Sequence, residues 1–418
     1  MQSAIEPLRS PGMRDLPPEH MRRFRRIEQA FREELLAWGY EEIRTPTIEY
    51  LHLFTSAGTL SPHLLERVYS FLDWDGWSGE RVVLRPDSTI PAARFYRERM
   101  DGGLAKLFYV QNIFRFAQGD QPRELWQCGA EIYGPSWPAG DVELLSAGRR
   151  VLQRLGIADV RVRLSHTGVL RALLARAGFS PEEQVERYDR LLDGDLSAVH
   201  EIEERLPELG ASLHLLVDLT GTDVGYLDNI RAGFAVAVPE MGPALDELTL
   251  VARALAVLEC PFEIVMLLAR DFEYYTGPVF RFVTPDGTAL GGGGRYDALV
   301  RRPTGEAVPA CGFALFMERV GALLPEPEPE RGGVVYVEPA AVTPESMGLA
   351  LAMAEQLQEA GFCAELVGSR RRPACRWVLT VDAAGGPHRY RLHDLDSGEQ
   401  LTAASMDVIF ATLGRGRC

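Results

Sequence analysis

Near residue 330 the chain alternates proline with glutamate: Pro325-Glu326-Pro327-Glu328-Pro329-Glu330, followed by Arg331-Gly332-Gly333. Such a stretch is extended and self-repelling, and the two glycines release it. It constrains the fold more than any other feature, because a core cannot run through it. The residues before it are expected to form one large unit, and those after it a small C-terminal domain.

At 418 residues, the length accommodates two or three domains, each able to bury its own core. The 59 acidic side chains outnumber the 44 basic ones, and the net charge of −15 argues against a surface spread over nucleic acid or anionic membrane. Lys106 is the only lysine. No run approaches the roughly 18 apolar residues of a membrane span. The stretch from Met1 has no basic region leading into an apolar one, so no secretion signal is expected. Cys128, Cys260, Cys311, Cys363, Cys375 and Cys418 are scattered without a C-x-x-C pair, which points away from structural zinc or a disulfide scaffold. A soluble protein of a reducing cytoplasm is expected.

Hydrophobic spacing predicts an amphipathic helix over Met21 to Trp38, with Phe24, Ile27, Phe31 and Leu35 on one face and Gly39 as its C-terminal stop. Glu42 to Pro46 is strand-like. Further strands are expected at Arg81 to Leu84, Leu107 to Phe114, Leu125 to Tyr133, Ile264 to Leu268, Val279 to Val283 and Ala310 to Leu315. Helical periodicity returns at Asp141 to Leu155 and Gly168 to Ala177, and dominates from Pro181 to Leu258. The pattern is that of an α+β fold, a mostly antiparallel sheet interrupted by a helical insertion. After the linker a strand at Val334 to Val337, a helix at Pro344 to Ala360 and strands near Ala364 and Val378 suggest a small α/β domain.

Four segments carry polar chemistry. In Arg85-Pro86-Asp87-Ser88-Thr89, a carboxylate and hydroxyls precede a helix over Ile90 to Arg99, where they serve equally as caps. Arg115, Gln127 and Glu131 lie on two strands joined by a short loop. Gln127 and Glu131, four residues apart, point to the same sheet face. A buried Arg, Gln and Glu need partners, which a bound zwitterion would supply. Arg270 is followed by acidic and phenolic groups, including Tyr274 and Tyr275. Gly291 to Gly294, preceding Arg295-Tyr296-Asp297, weaken a strand; either another group approaches that backbone closely or the run is a flexible loop. No G-K-[ST] follows them, so they are not a P-loop.

Taken in order, these segments resemble the core of the class II histidyl-tRNA synthetases. Pro11 to Asp15 (PGMRD) is similar to that family's N-terminal K-G-T-R-D, and Gly39 to Tyr50 to its dimer-forming motif 1. Phe114 to Gly134 resembles motif 2, and Pro309 to Arg319 motif 3. Arg270 to Phe280 (RDFEYYTGPVF) and Gly291 to Asp297 (GGGGRYD) resemble the two histidine-specific motifs. The resemblance covers about the first 330 residues. It implies an antiparallel sheet flanked by helices, with residues 1–165 and 259–324 as two parts of a core, 166–258 as an insertion, 325–333 as a linker and 334–418 as a truncated anticodon-binding-like domain.

It also implies a histidine pocket. Asp87 and Thr89 would face the α-amino group. Gln127 and Glu131 would bind the amino group and part of the side chain, with Glu131 and Tyr275 near the imidazole. Arg115 would meet the carboxylate and α-phosphate and Arg270 the carboxylate or the leaving phosphate, with Tyr274 and Tyr296 completing the walls. The departures point to a paralogous branch, the regulatory subunits of ATP phosphoribosyltransferase. Asp87 stands where synthetases carry Glu in R-P-E-G-T, and the loop Phe116 to Pro122 lacks the E-R-P-Q-x-G-R series. Phe316 replaces the glycine of G-x-E-R at the adenine floor, beside a retained Arg319, and overfilling a packed pocket costs about 1–3 kcal/mol. Arg370-Arg371-Arg372 stands in a tail where a whole helix is missing, and is read as a solvated loop rather than a nucleic-acid patch.

These features lead us to expect a histidine-sensing subunit of the first step of histidine biosynthesis, with no catalysis, metal or cofactor of its own. Its partners would be a short-form catalytic phosphoribosyltransferase subunit and a second copy of itself, joined through motif 1, with tRNA not a working partner. A catalytically active histidyl-tRNA synthetase is the alternative. Coupling of roughly 1–3 kcal/mol between sites would suffice for such a sensor.

Overall fold

The computed structural model describes residues 9–55, 65–74, 79–100, 102–134, 137–210, 212–217, 219–268, 274–301, 305–325, 334–366 and 376–414. Two compact units are present, Met1–Pro325 and Glu326–Cys418. The Pro/Glu run beyond Pro325, Arg270 and the Arg370 to Arg372 patch lie outside the described residues.

The larger unit is built on an eight-stranded sheet. Its strands are β1 (Glu41–Glu42), β5 (Ala105–Phe114), β6 (Glu124–Tyr133), β7 (Arg161–His166), β8 (Phe262–Ile264), β9 (Pro278–Val283), β10 (Ala289–Arg295) and β11 (Ala310–Phe316). Their order is β1-β5-β6-β11-β10-β9-β7-β8. The central pairings are antiparallel, while β1 on β5 and β8 on β7 are parallel. A separate three-stranded antiparallel sheet holds β2 (Ile48–Tyr50), β4 (Gly79–Leu84) and β3 (Ser70–Trp74), in the order β2-β4-β3.

Side chains alternate across these strands with period two, so one face of the large sheet is core and the other carries the site. Phe108, Val110, Cys128, Ala130, Ile132, Phe280, Phe282, Phe313 and Leu315 are buried on the core face. The helix Pro18–Ala37 contributes Phe24, Ile27, Phe31 and Leu35 to that core, as the spacing predicts. Each side chain so buried adds roughly 1.5–3 kcal/mol. Gly39, at φ +80°, ends the helix, with Gly39 N–H donating to Leu36 O and Tyr40 N–H to Leu35 O.

Between β7 and β8 the described chain is helical: Thr167–Arg176, Pro181–Leu192, Leu196–Arg205, Ser212–Val217, Gly225–Phe234 and Gly242–Val257. Ser180 and Glu183 form a reciprocal capping box at the second of these. The smaller unit has a five-stranded sheet, ordered β13 (Cys363–Leu366), β12 (Val334–Pro339), β14 (Trp377–Val381), β15 (Tyr390–Asp394), β16 (Gln400–Ala403). Helices Pro344–Glu359 and Met406–Leu413 pack on it.

Two local expectations need correction, and for the glycine run the first of the two alternatives holds. The strand expected over Ile264 to Leu268 ends at Ile264, because it pairs with only the first half of β7. The strand expected over Glu42 to Pro46 reduces to Glu41–Glu42, and pairing resumes at Ile48, beyond Pro46. The glycine run is neither loop nor turn. It is most of β10, in the middle of the sheet. A Cβ on Gly291 or Gly293 would run into the β11 backbone, and one on Gly294 would meet the Tyr275 ring at 2.9 Å. Close approach from both sides is therefore the reason for glycine there.

Candidate functional site

Glu131 is the centre of the site. It sits on the non-core face of β6 and is 1% exposed. Its neighbour across the β6–β11 pairing is Gly312, where any Cβ would overlap the Glu131 carboxylate and crowd the Tyr296 hydroxyl. On the other side, Tyr109 of β5 lies opposite Gly129, whose missing side chain leaves room for the phenol ring. Tyr109 Oη then donates to Glu131 Oε1 at 2.9 Å, and Tyr296 Oη donates to Glu131 Oε2. Two glycines on flanking strands thus hold a carboxylate between two phenols.

Burial pushes the Glu131 carboxyl up to about 8, and the charge of Asp87 adds to that. Hydrogen bonds from Tyr296, Tyr109 and Thr89 act in the opposite sense but do not cancel it. The phenols of Tyr109, Tyr274 and Tyr296 are held well above the usual tyrosine range, mainly by burial and then by nearby carboxylates. A buried carboxylate with donors on both oxygens and a second carboxylate nearby is suited to a cationic or N–H-bearing group.

The start of helix Thr89–Arg99 forms the next wall. Asp87 Oδ1 accepts from Ile90 N–H at 3.0 Å, so this carboxylate caps the helix while its charge acts on Glu131 and Tyr274. The capping role weighed for it in the sequence is therefore present in the fold. The Thr89 hydroxyl lies near enough to Glu131, Tyr109 and Tyr274 to act on their pKa values. Tyr274 and Tyr275, just before β9, stack edge-on at 5.0 Å, and Tyr274 lies 5.4 Å from the Tyr296 ring.

Gln127 is buried two pleats from Glu131 on the same face, opposite Gln111 and Phe316. Arg115 follows the end of β5, half-buried, and its Nε donates to Pro86 O at 2.8 Å, which ties it to the segment bearing Asp87. The structure thus brings together Asp87, Thr89, Glu131, Tyr274, Tyr275 and Tyr296, with Gln127 farther along the sheet and Arg115 at its edge. Arg270 lies outside the described residues.

At the far end of this face, Arg319 is engaged: its guanidinium lies 4.8 Å over the Phe316 ring and Nη1 donates to Ala289 O at 2.9 Å. The short loop after Arg115 folds back on the N-terminal segment. Arg123 N–H donates to Gly12 O at 2.9 Å, and Arg14 Nη2 to Asp120 O at 3.2 Å. Among the described residues no group of three or more His, Cys, Asp or Glu could hold a metal ion, and no helix is long and apolar enough to cross a membrane.

Sequence reasoning missed Tyr109, Arg85 and Thr167. Tyr109 carried a signal, since its position in the Leu107 to Phe114 strand has the parity of the Glu131 face. Arg85 is 3% exposed and clamps the backbone of Thr45, Pro46 and Asn112, with burial lowering its pKa to about 10. Thr167 Oγ1 donates to Tyr275 O at 3.2 Å from the first insertion helix, and nothing in the local sequence marks that contact.

The description "Histidyl-tRNA synthetase" belongs to the family model that matches residues 12–320. A protein of Dehalococcoides mccartyi named ATP phosphoribosyltransferase regulatory subunit is 42% identical over 392 residues, covering 93% of each chain. A histidine–tRNA ligase of Desulforudis audaxviator is 33% identical over 405 residues, covering 88% of this chain and 89% of its own. In three dimensions the chain is similar to the histidyl-tRNA synthetase of Nostoc, with a TM-score of 0.74 at 20% identity over 99% of both chains. The fold is thus that of the synthetases while the higher identity lies with the regulatory proteins, and the chain belongs to the histidyl-tRNA synthetase-like family of ATP phosphoribosyltransferase regulatory subunits.

Proposed function

We propose that the tyrosine-walled pocket around Glu131 binds L-histidine and that its occupancy reports histidine levels to a catalytic ATP phosphoribosyltransferase partner. The observation that carries this reading is Glu131 itself, a buried carboxylate with a raised pKa, held by two phenols against a strand of glycine. The imidazole of histidine is a base of pKa about 6.5. Near neutral pH that ring is mostly uncharged while buried Glu131 retains its proton, so the protonated carboxyl can donate a hydrogen bond to a ring nitrogen and neither partner has to carry a buried charge. Asp87 and Thr89 would receive the α-ammonium, and Arg115 and Arg270 the carboxylate.

Aminoacylation is not the activity that this face favours. Phe316 fills space on the sheet and Arg319 stacks on it, so the guanidinium would have to leave its aromatic and carbonyl partners to meet a nucleotide. Two copies would associate through the surface near motif 1, where Ile48, Tyr50, Leu72 and Trp74 are 48, 50, 57 and 68% exposed on the three-stranded sheet. The partner would be a short-form phosphoribosyltransferase that lacks its own histidine sensor, in a cytoplasmic complex without tRNA.

Calorimetric titration of the chain with L-histidine, alongside histidine-dependent ATP–pyrophosphate exchange, tests this reading. Saturable histidine binding with no exchange is expected. Robust exchange by this chain alone would reassign it as a synthetase, and absence of histidine binding would remove the sensor.

A further inference from the structure

Farther along the site face, strands β7 and β9 place Arg163 and Arg281 directly opposite each other. Like charges in that relation destabilise an antiparallel pair. Glu263 offers partial compensation: its carboxylate accepts from Arg163 Nε at 2.9 Å, but it also accepts from Arg161 Nη1 at 2.9 Å. One carboxylate therefore serves two guanidiniums. Arg281 has no hydrogen-bonded carboxylate among the described residues. Burial holds its pKa below the ordinary arginine value, and the charges of Arg319 and Arg163 push the same way against Tyr275 and Tyr188.

Both arginines open onto a cavity of about 280 Å³, lined among the described residues also by Leu192, Val265, Leu267 and Leu268. That is room for a small molecule rather than a single water, whose share of liquid volume is about 30 Å³. Gly292 lies opposite Arg281, and a Cβ there would meet Arg281 Cγ at 3.0 Å, so the glycine strand gives this arginine its place. Neither arginine belongs to the motifs that resemble the synthetases.

We propose that this cavity is an anion site for a phosphate- or pyrophosphate-bearing small molecule, held between Arg163 and Arg281 with its organic part against Leu192, Val265, Leu267 and Leu268. Planar guanidiniums match phosphate oxygens in pairs, and a bound polyanion converts the opposed arginines from a repulsive pair into a clamp. Its described lining shares no residue with the Glu131 pocket, and the proposal does not rest on histidine binding there.

Calorimetric titration of the full chain with inorganic pyrophosphate at fixed ionic strength tests the proposal, with acetate as a carboxylate control. Saturable pyrophosphate binding is expected, weakened about tenfold or more by Arg281→Gln or Arg163→Gln, each of which removes one charge-assisted fork. Without anion, Arg281→Gln should melt no lower than wild type, because it relieves the repulsion. If one variant fails to fold, the other carries the same expectation. Histidine affinity, measured in parallel, should stay unchanged, which keeps this result distinct from the fate of the histidine reading. No saturable pyrophosphate binding at low millimolar concentration, equal binding by the variants, or an equal response to acetate would each overturn it.

Discussion

Replacing Glu131 by Gln should remove most of the pH dependence of stability between pH 4.5 and 8. The folded protein holds the Glu131 carboxyl at about 8, against an ordinary value of 4.5. Within that window the folded state keeps a proton that the unfolded chain has released. Stability attached to this group is therefore full below the unfolded pKa, falls as pH rises through the window, and levels off above the folded pKa. A shift of 3.5 units at 1.36 kcal/mol each corresponds to about 5 kcal/mol, an upper bound because the site relaxes as it ionises. Glutamine keeps the shape and cannot ionise. At pH 5, where the wild-type carboxyl is protonated, its cost should be about 1 kcal/mol for the altered phenol hydrogen bonds. By pH 9 the variant should be the more stable protein. Urea denaturation of both chains from pH 5 to 9, followed by tyrosine and tryptophan fluorescence, reads the difference between them at each pH. Parallel curves for the two chains would refute the assignment of a raised pKa to Glu131.

Other outcomes follow from the same geometry. Gly312→Ala places a methyl group against the Glu131 carboxylate and the Tyr296 hydroxyl; it should cost about 1–3 kcal/mol in melting experiments and abolish histidine binding in calorimetry. Asp141 and Arg295 form an ion pair under the sheet, 1% and 8% exposed. Asp141→Ala strands a buried guanidinium and should cost about 3–5 kcal/mol by denaturation, while adding Arg295→Leu should recover much of that loss. Thr167→Val removes a strap on the Tyr275 carbonyl. It should weaken histidine binding a fewfold with little change in melting temperature, as read by the same two measurements.

Much of the larger unit was legible because its strands alternate and its helices repeat. The first helix is one example, since Phe24, Ile27, Phe31 and Leu35 all reach the core. The parity of Gln127 and Glu131 was readable for the same reason. What escaped is what depends on partners distant in sequence. The tetraglycine strand has no side chains with which to show a period, and its place in the sheet is set by the backbones of β9 and β11. Tyr109 becomes a site residue only because Gly129 and Glu131 lie across from it. The ends of the β8 and Glu41–Glu42 strands are set by how far their neighbours extend, which no local propensity encodes. In the smaller unit β15, β16 and the helix Met406–Leu413 were missed, because short amphipathic segments between turns give little periodic signal.

The central claim is that histidine acts through the Glu131 pocket on a phosphoribosyltransferase partner. Its most direct test is the histidine inhibition curve of the reconstituted complex of this chain with a short-form catalytic subunit, measured for wild type and for Glu131→Gln. Wild type should support activity that histidine suppresses. The variant should support the same activity and assembly, with the inhibition curve displaced about tenfold or more to higher histidine, as expected when a buried hydrogen-bond partner of the ligand is lost. Unchanged inhibition by histidine in the Glu131→Gln complex, or catalytic activity indifferent to the presence of this chain, would contradict it.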